Sequence, residues 1–233
     1  MQTLISIVIL VLVFLPVTKT SFAETNSSTQ STITIKEYDQ AIRLDPNNVE
    51  AYINRGIAYK NLGQHQRAIE DLNQAIRLDP NDARAHRNRG VAYKKLGEYQ
   101  RAITNYDQAI RLNPKYAKAY NNRGVAYKKL GHYQRAIEEY DQAIRFAPDF
   151  AVAYSNRGVA YKNLGEYQRA IEDYNQAIRI DPNIAFTYIN RGNVYIKFSR
   201  YHLAITDYDQ AIRLDPDNAY AYNNRGIAYK NLG

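Results

Sequence analysis

Six asparagines recur at intervals of 34 residues and carry a side chain that can bind a peptide backbone. They are Asn54, Asn88, Asn122, Asn156, Asn190 and Asn224. A primary amide has both a donor and an acceptor, so one side chain can satisfy both groups of a peptide unit. Such contacts would recognise the backbone of a partner rather than its sequence. The other interpretation is that these amides hydrogen-bond within the protein and were copied when a unit was duplicated.

Basic residues accompany the asparagines, whereas acids are nearly absent from the same stretches. These stretches are 49–63, 83–97, 117–131, 151–165, 185–199 and 219–233, and Glu50 is their single acid. Apart from one arginine that recurs in all of them, their cations are Lys60, Arg84, Arg87, Lys94, Lys95, Lys118, Lys128, Lys129, Lys162, Lys197 and Lys230. The chain has a formal net charge of +8, and this concentration of cations favours an anionic partner. A helix dipole would favour the lysines near the end of each stretch, but it does not explain Arg84, Arg87 and Lys118.

Residues of catalytic or metal-binding type form no constellation in this sequence. There is no cysteine, and no two histidines have the i, i+4 spacing of a helical ligand pair. The histidines stand in or beside positions that other copies give to tyrosine; they are His65, His86, His132 and His202. An active site needs different groups that converge, whereas nearly every polar residue here recurs at the same place in its neighbours. The sequence therefore predicts no enzyme, no metal site and no cofactor.

Prolines and glycines at the same interval mark the elements that carry these residues. The prolines are Pro46, Pro80, Pro114, Pro148, Pro182 and Pro216, and one glycine series is Gly56, Gly90, Gly124, Gly158, Gly192 and Gly226. A second glycine series, Gly63, Gly97, Gly131, Gly165 and Gly233, is interrupted only by Ser199. A fixed period of this length indicates a solenoid of repeated supersecondary units.

Counted from Val49, the chain divides into five complete units, and a residue's place in its unit is its repeat position. The units are 49–82, 83–116, 117–150, 151–184 and 185–218. Positions 1–14 carry apolar residues at helical spacing, the glycine at position 15 ends this first helix, and positions 17–30 form a second helix that the proline at position 32 stops. Each unit is therefore predicted to be an antiparallel helix pair.

Tyrosines are expected to fill the core between these helices. All of the 22 tyrosines except Tyr116 and Tyr220 occupy four repeat positions, as Tyr120, Tyr127 and Tyr140 do, and small alanines alternate with them. Burial of one aromatic side chain removes roughly 150–250 Å² from water. An alternative use of the same rings is to stack on the bases of a nucleic acid.

The pattern from Ala119 to Tyr127, continued by Tyr133, Ala136, Tyr140, Ala143 and Pro148, resembles a tetratricopeptide repeat. The resemblance covers about residues 33–233. It implies an all-α fold, a right-handed superhelical solenoid of antiparallel helix pairs. One departure is uniform, because the family usually has an apolar residue where Arg55, Arg89, Arg123, Arg157, Arg191 and Arg225 stand. We expect their guanidinium groups to reach acids on the second helix, such as Asp71, Glu139, Asp173 and Asp207.

The resemblance also implies where a partner binds. In the family the first helices line a concave groove, and positions 2, 5, 6, 9, 12 and 13 point into it. The six asparagines at position 6 are similar to the asparagine ladder of O-GlcNAc transferase and kinesin light chain, whose amides hold the backbone of an extended peptide. The groove is then expected to be lined by these asparagines and by the cations named above.

The remaining segments concern export and the ends of the array. The apolar run 4–15 and the Ser-Phe-Ala ending resemble a signal peptide, residues 1–23, followed by a polar linker, 24–32. An uncleaved membrane anchor at 4–15 and a buried structural helix are the alternatives. Residues 33–48 fit only a second helix and residues 219–233 only a first helix, so we expect a fragment of a longer protein or an end that a partner covers.

These observations predict an exported, periplasmic or secreted, scaffold that binds an extended acidic protein segment and does not catalyse a reaction. Two alternatives stay open. The chain could be the adaptor portion of a longer multidomain protein, or a helical-repeat protein that binds single-stranded RNA. The signal peptide argues against RNA, and a membrane would be contacted only through an uncleaved N-terminal segment.

Overall fold

The computed structural model describes residues 35–233, which form twelve helices. The predicted signal peptide, anchor and linker lie outside the described residues. Helix α1 includes residues 35–44. The others are α2 (Val49–Asn61), α3 (His65–Leu78), α4 (Ala83–Lys95), α5 (Tyr99–Leu112), α6 (Ala117–Lys129), α7 (Tyr133–Phe146), α8 (Ala151–Asn163), α9 (Tyr167–Ile180), α10 (Ala185–Lys197), α11 (Tyr201–Leu214) and α12 (Ala219–Leu232). The even-numbered helices are first helices and the odd-numbered ones are second helices.

The turns follow the punctuation of the sequence. The side chains of Asn48, Asp82 and Asn218 accept hydrogen bonds from the first backbone N–H groups of α2, α4 and α12. Each first helix from α2 to α8 is followed by a glycine with a φ of 75–80°, as at Gly131. Ser199 takes the same place in the fifth unit with a φ of 55°, and it is the only non-glycine residue with positive φ in the described chain.

Close packing inside each helix pair explains the other glycine series, which lies in the middle of the first helices. Tyr106, Tyr140, Tyr174 and Tyr208 on the second helices are fully buried. A Cβ atom added to Gly124 would lie 2.7 Å from Cε1 of Tyr140, and one added to Gly90 would lie 2.6 Å from Cε1 of Tyr106. The tyrosine ring therefore occupies the space that a side chain on the first helix would need. The prediction that these tyrosines form the core is confirmed.

Recurrent arginines join three helices at a time. Arg157 on α8 binds Asp173 on α9 (Nη2–Oδ1, 2.6 Å) and Asp141 on the preceding α7 (Nη1–Oδ1, 2.5 Å). The predicted contacts with Asp71, Glu139, Asp173 and Asp207 are all present, made by Arg55, Arg123, Arg157 and Arg191. The sequence expectation for these arginines is confirmed, and the contact with the preceding unit is an addition to it.

The packing order defines an inner and an outer side of the array. Each helix packs against its neighbours in sequence, and successive first helices also contact one another, α2 with α4 and so on to α12. No two second helices from α3 to α11 approach each other this closely. The first helices therefore lie on the shorter, concave side. The fold is the predicted all-α solenoid, and no helix within residues 35–233 is both long enough and apolar enough to cross a membrane.

Candidate functional site

Side chains at equal repeat positions form rows across the concave groove. Arg84 Nη2 lies 2.7 Å from Oε2 of Glu50, and both residues stand at position 2 of adjacent units. Farther along the groove, Lys162 Nζ at position 12 donates to Asn190 Oδ1 at position 6 of the next unit, at 2.9 Å. Residues that are 34 or 28 apart in sequence are thus neighbours on one surface. The groove can be described as rows that run along the array.

The asparagines at position 6 are placed in the groove wall, but most of them have partners within the protein. Asn54 Nδ2 donates to Glu50, Asn156 Nδ2 to Asn121 Oδ1 at 3.0 Å, and Asn224 Nδ2 to Asn193 Oδ1 at 2.9 Å. Asn88 and Asn190 are only 4% and 5% exposed. Asn190 uses both ends of its amide, since Nδ2 also donates to the Phe186 carbonyl. Asn122 differs, because its Nδ2 is buried with no hydrogen-bond partner among the described residues.

Four of the five lysines at position 12 form what we call the lysine row: Lys60, Lys94, Lys128 and Lys162; the fifth, Lys230 on α12, is exposed. The four members of the row are partly buried between successive first helices. None of them forms an ion pair within residues 35–233, where every ion pair is made by an arginine. Two of them instead donate to asparagines of the next unit, Lys128 to Asn156 at 3.5 Å and Lys162 to Asn190. The row therefore presents positive charge that no carboxylate within residues 35–233 neutralises.

Burial lowers the pKa values of the lysines in this row, and repulsion between neighbouring cations adds to the effect at Lys94 and Lys128. Burial, followed by the charges of Lys95, Arg87, Lys60 and Lys129, lowers the pKa of Lys94 to about 8. For Lys128 the causes are burial and then Lys129, Lys162 and Lys94, and its pKa is also lowered to about 8. The pKa values of Lys60 and Lys162 are lowered chiefly by burial. An anion placed in the groove would oppose these shifts, because a nearby negative charge raises the pKa of an ammonium group.

The other predicted cations have different surroundings. Arg84 is held by Glu50 and Asp82, so part of its charge is neutralised within the protein. Lys95, Lys118, Lys129 and Lys197 are exposed. Arg87 lies with its guanidinium carbon 5.8 Å from the ring centre of Tyr116, and its Nε is buried without a partner in the described chain. Arg87 Nη1 donates to Asn88 Oδ1 at 3.4 Å, and neither Arg87 nor Lys118 forms an ion pair within residues 35–233.

A cleft beside the groove was missed by the sequence reasoning. It measures about 580 Å³ and lies where α4 meets the ends of α6 and α7. Its lining includes Arg87, Lys115, Tyr116, Lys118, Phe146, Asp149 and Phe150. The available signal was that Phe146 and Phe150 are phenylalanines only in the third unit.

The fifth unit changes the groove at two positions. Asn193 replaces an apolar residue and accepts hydrogen bonds from Tyr208 Oη (2.8 Å) and Asn224 Nδ2. Ile196 replaces the lysine of the row. Together with Ile227, these residues line a small cavity of about 120 Å³ in the groove wall.

Groups with catalytic or metal-binding chemistry are not brought together in the described chain. No set of three or more His, Asp and Glu side chains within residues 35–233 has the geometry to hold a metal ion. His86 is buried with Nε2 2.9 Å from the Pro80 carbonyl oxygen, and burial lowers its pKa. This histidine has a structural role in the wall between two units.

Sequence-family models match nearly the whole described chain. A model described as TPR repeat matches residues 58–97, 92–131 and 192–233. Two models described as tetratricopeptide repeat match residues 117–150 and 151–184, and residues 37–70. Among curated proteins, none matches the chain.

Solved structures share the architecture. The crystal structure of the MamA protein is 32% identical, covers 69% of this chain and 88% of its own, and superimposes with a TM-score of 0.57. The APC/C hetero-tetramer Cut9-Hcn1 is 22% identical with a TM-score of 0.79; the match covers 86% of this chain but only 40% of that one. YrrB, described as a TPR protein with an unusual peptide-binding site, is 22% identical over 81% of this chain and 97% of its own, with a TM-score of 0.59. At 22% identity the last two show the fold alone.

Proposed function

Because the chain belongs to the tetratricopeptide repeat family, we propose that it is a protein-binding scaffold whose concave groove holds an extended, acidic segment of a partner. The fold and the related proteins support a protein-interaction scaffold in general. The acidic character of the partner is inferred from the groove itself. No catalytic step is proposed.

The lysine row is the observation that carries this proposal. Partly buried cations without carboxylate partners are unfavourable in the free protein, because they lose water and repel one another. Carboxylates of a partner would offset both costs by electrostatic attraction to the ammonium groups. Most of the recurrent arginines at position 7 already have acids, as Arg157 has Asp141 and Asp173, whereas none of the four lysines of the row has one within residues 35–233.

The asparagines would fix the register of the bound segment. In the free protein the oxygen atoms of Asn156 and Asn190 accept hydrogen bonds from Lys128 and Lys162 and so orient these ammonium groups. The unpaired donor of Asn122 can bind a backbone carbonyl of the partner. Successive first helices about 8–10 Å apart match about three residues of an extended chain, so the six first helices correspond to roughly 15–18 partner residues.

The descriptions of two structural neighbours agree with this class of partner. Cut9-Hcn1 is a hetero-tetramer, and YrrB is described as having a peptide-binding site. Both statements concern those proteins. They support the choice of a protein or peptide as the ligand to test first.

Fluorescence anisotropy with a labelled glutamate-rich peptide of about sixteen residues tests the proposal. The double variant Lys94→Met/Lys128→Met should weaken binding at least about tenfold and reduce its salt dependence. The control Arg111→Met/Arg179→Met removes two exposed charges from second helices and should leave the affinity unchanged within about twofold. Equal losses in both variants would show that only net charge matters and would overturn the groove assignment.

Two further arms of this experiment address the asparagines and RNA. The triple variant Asn88→Ala/Asn122→Ala/Asn156→Ala should weaken binding by a few kcal/mol, at about 1 kcal/mol for each hydrogen bond lost. Normal binding together with early melting would assign the amides a purely structural role. Tight binding of a labelled oligouridylate, in preference to the peptide, would replace the proposed function by RNA binding.

We also propose that the chain is exported, on the basis of the apolar run 4–15 and the Ser-Phe-Ala ending at residue 23. Sequencing the N-terminus of protein made in its own host tests this. A mature chain beginning at Glu24 is expected, and a chain that retains Met1 would contradict cleavage.

A further inference from the structure

The residues at repeat position 2 form a row along the groove, which we call the position-2 row. These residues change from charged to apolar along the array. The first three members of the row are charged and the last three are apolar or aromatic. In order they are Glu50, Arg84, Lys118, Val152, Phe186 and Tyr220. The contact between Glu50 and Arg84 shows that consecutive members of this row are neighbours. The row therefore divides into a charged section, in which Glu50 and Arg84 form an ion pair and Lys118 forms none within residues 35–233, and an apolar section that begins on α8.

The apolar section is exposed although it lies in the groove. Val152 is 42% exposed and Phe186 is 51% exposed. Both stand on first helices that are packed between neighbouring units on both sides, so their exposure does not come from an open end of the array. Tyr220 and Ile227 continue the section on α12, where no further helix is described. A contiguous exposed apolar patch of this kind marks an interaction surface.

The fifth unit changes the lysine row in the same part of the groove. Ile196 stands where four preceding units carry a lysine, and it lines the small cavity with Asn193, Tyr208 and Ile227. The walls of the cavity combine the apolar side chains of Ile196 and Ile227 with the amides of Asn193 and Asn224. Charge decreases and apolar surface increases together from α8 onward.

We infer that the groove is bipartite and that its partner carries an acidic block directly beside a block of aromatic or branched aliphatic residues. This inference rests on the proposed function, since it describes the same groove and the same bound segment. The acidic block lies along the lysine row and ends at Lys118, the member of the position-2 row that precedes Val152. The apolar block covers Val152 and Phe186 and inserts one side chain near Ile196. Continuity of the two sections in one groove is what selects a single extended occupant.

Anisotropy with a set of synthetic peptides tests the inference. One peptide carries acidic residues followed by serines, and two others replace the serines by a Phe- and Val-containing block, placed either after or before the acids. A fourth keeps the apolar block and has glutamines for the acids. One of the two combined peptides should bind at least about tenfold more tightly than the acidic peptide, as burial of one aromatic side chain predicts.

Variants of groove residues show which side chains provide the additional affinity of the combined peptide. Val152→Ser/Phe186→Ser should remove it and leave the affinity for the acidic peptide unchanged. Leu203→Ser is the matched control, because Leu203 is 47% exposed on the second helix α11, away from the groove. This control should keep the full gain. Circular dichroism of all variants should show the helical content of the parent protein.

The outcomes separate the inference from the function on which it rests. If the acidic peptide binds through Lys94 and Lys128 but neither combined peptide gains affinity, the groove is not bipartite and the proposed function stands. A gain that persists in Val152→Ser/Phe186→Ser also overturns the inference. If the acidic peptide does not bind at all, the proposed function fails and the inference fails with it.

Discussion

The recurrent arginines at repeat position 7 stabilise the packing between helices, in contrast to the lysine row, for which we propose a role in binding. Arg55 receives carboxylates from two second helices, and the hydrogen bond with Asp71, followed by that with Asp39, raises its pKa. Arg89 occupies the same repeat position but meets Asn105 and Asn73 instead. Burial lowers the pKa of Arg89 because no carboxylate offsets it. The second unit therefore contains a buried cation that its neighbours would have paired.

Supplying the missing carboxylate should stabilise the protein. We expect Asn105→Asp to raise the free energy of unfolding by about 1–3 kcal/mol, because a charge-assisted bidentate pair replaces a single hydrogen bond. The reverse change, Asp173→Asn in the fourth unit, should lower it by a similar amount. Urea unfolding measures both. Asn81→Asp adds the same charge at an exposed turn, and a gain in Asn105→Asp no larger than in this control would contradict the pairing.

The lysine row predicts how stability depends on pH. Because the pKa values of Lys94 and Lys128 are lowered to about 8, the unfolded chain binds more protons than the folded one above that pH. The free energy of unfolding should therefore rise between about pH 7.5 and pH 9.5, by on the order of 1 kcal/mol or more. Above about pH 10 the tyrosines oppose this rise, since burial raises the pKa of Tyr106, Tyr140 and Tyr174. Lys94→Met/Lys128→Met should be more stable than the parent at neutral pH and should flatten the rise; a parent protein whose stability falls over this range would contradict the account.

At the scale of the helix, a large side chain of the second helix packs on a glycine of the first helix in each complete pair; it is Leu72 in the first pair and a tyrosine in the other four. The two glycine series have different physical origins, which the sequence spacing alone does not separate. Gly124 lies within α6 and makes room for Tyr140, whereas Gly131 follows the helix and takes a positive φ. The fourth first helix of the array uses the same arrangement with Gly158 and Tyr174.

Replacing the glycine in the middle of a first helix by alanine should therefore affect the free energy of unfolding differently in α6 and in α12. Gly124→Ala should lower the free energy of unfolding by about 1–3 kcal/mol, because its Cβ would overlap Tyr140. Gly226→Ala is the matched control, since a Cβ there would meet no atom within 4 Å. It should be neutral or stabilising by up to about 1 kcal/mol through helix propensity. Thermal unfolding compares the two, and equal effects would refute the packing explanation.

In the turn of the fifth unit the opposite kind of substitution, from serine to glycine, should stabilise the protein. Ser199 has a φ of 55°, a conformation that costs a residue with a Cβ about 1–2 kcal/mol. Ser199→Gly should raise the melting temperature by restoring the residue of the other units. The change leaves the groove untouched, so peptide affinity should stay the same. A lower melting temperature would show that contacts of the serine, such as that with the Tyr201 hydroxyl, outweigh the backbone strain.

For the molecule as a whole, most of the architecture was predictable because its signals are local and repeated. Prolines, glycines and apolar spacing predicted α2 through α11 to within a residue or two, and the arginine contacts followed from the acid at one position of the second helix. The hydrogen bonds and the burial of the groove side chains were less predictable. Whether Asn190 faces solvent or bonds to Lys162 depends on how two units are offset. The burial of Lys94 likewise depends on the spacing between α4 and its neighbours, which no single unit specifies.

The position-2 row illustrates a signal that is visible in the sequence but has no meaning without the structure. Val152, Phe186 and Tyr220 are 34 residues apart, as are Glu50, Arg84 and Lys118. Only the contact between adjacent units shows that each set forms one surface. The polarity of the groove is therefore a property of the whole array.

Calorimetry of peptide binding in two buffers tests the central claim most directly. At about pH 8 Lys94 and Lys128 are partly deprotonated, and an acidic peptide that pairs with them must raise their pKa values. The binding enthalpy should then differ between buffers of low and high ionisation enthalpy, and the difference should correspond to uptake of up to about one proton for each peptide bound. Lys94→Met/Lys128→Met should abolish most of this uptake. Tight binding with an enthalpy that is the same in both buffers would show that the acidic segment does not contact the lysine row.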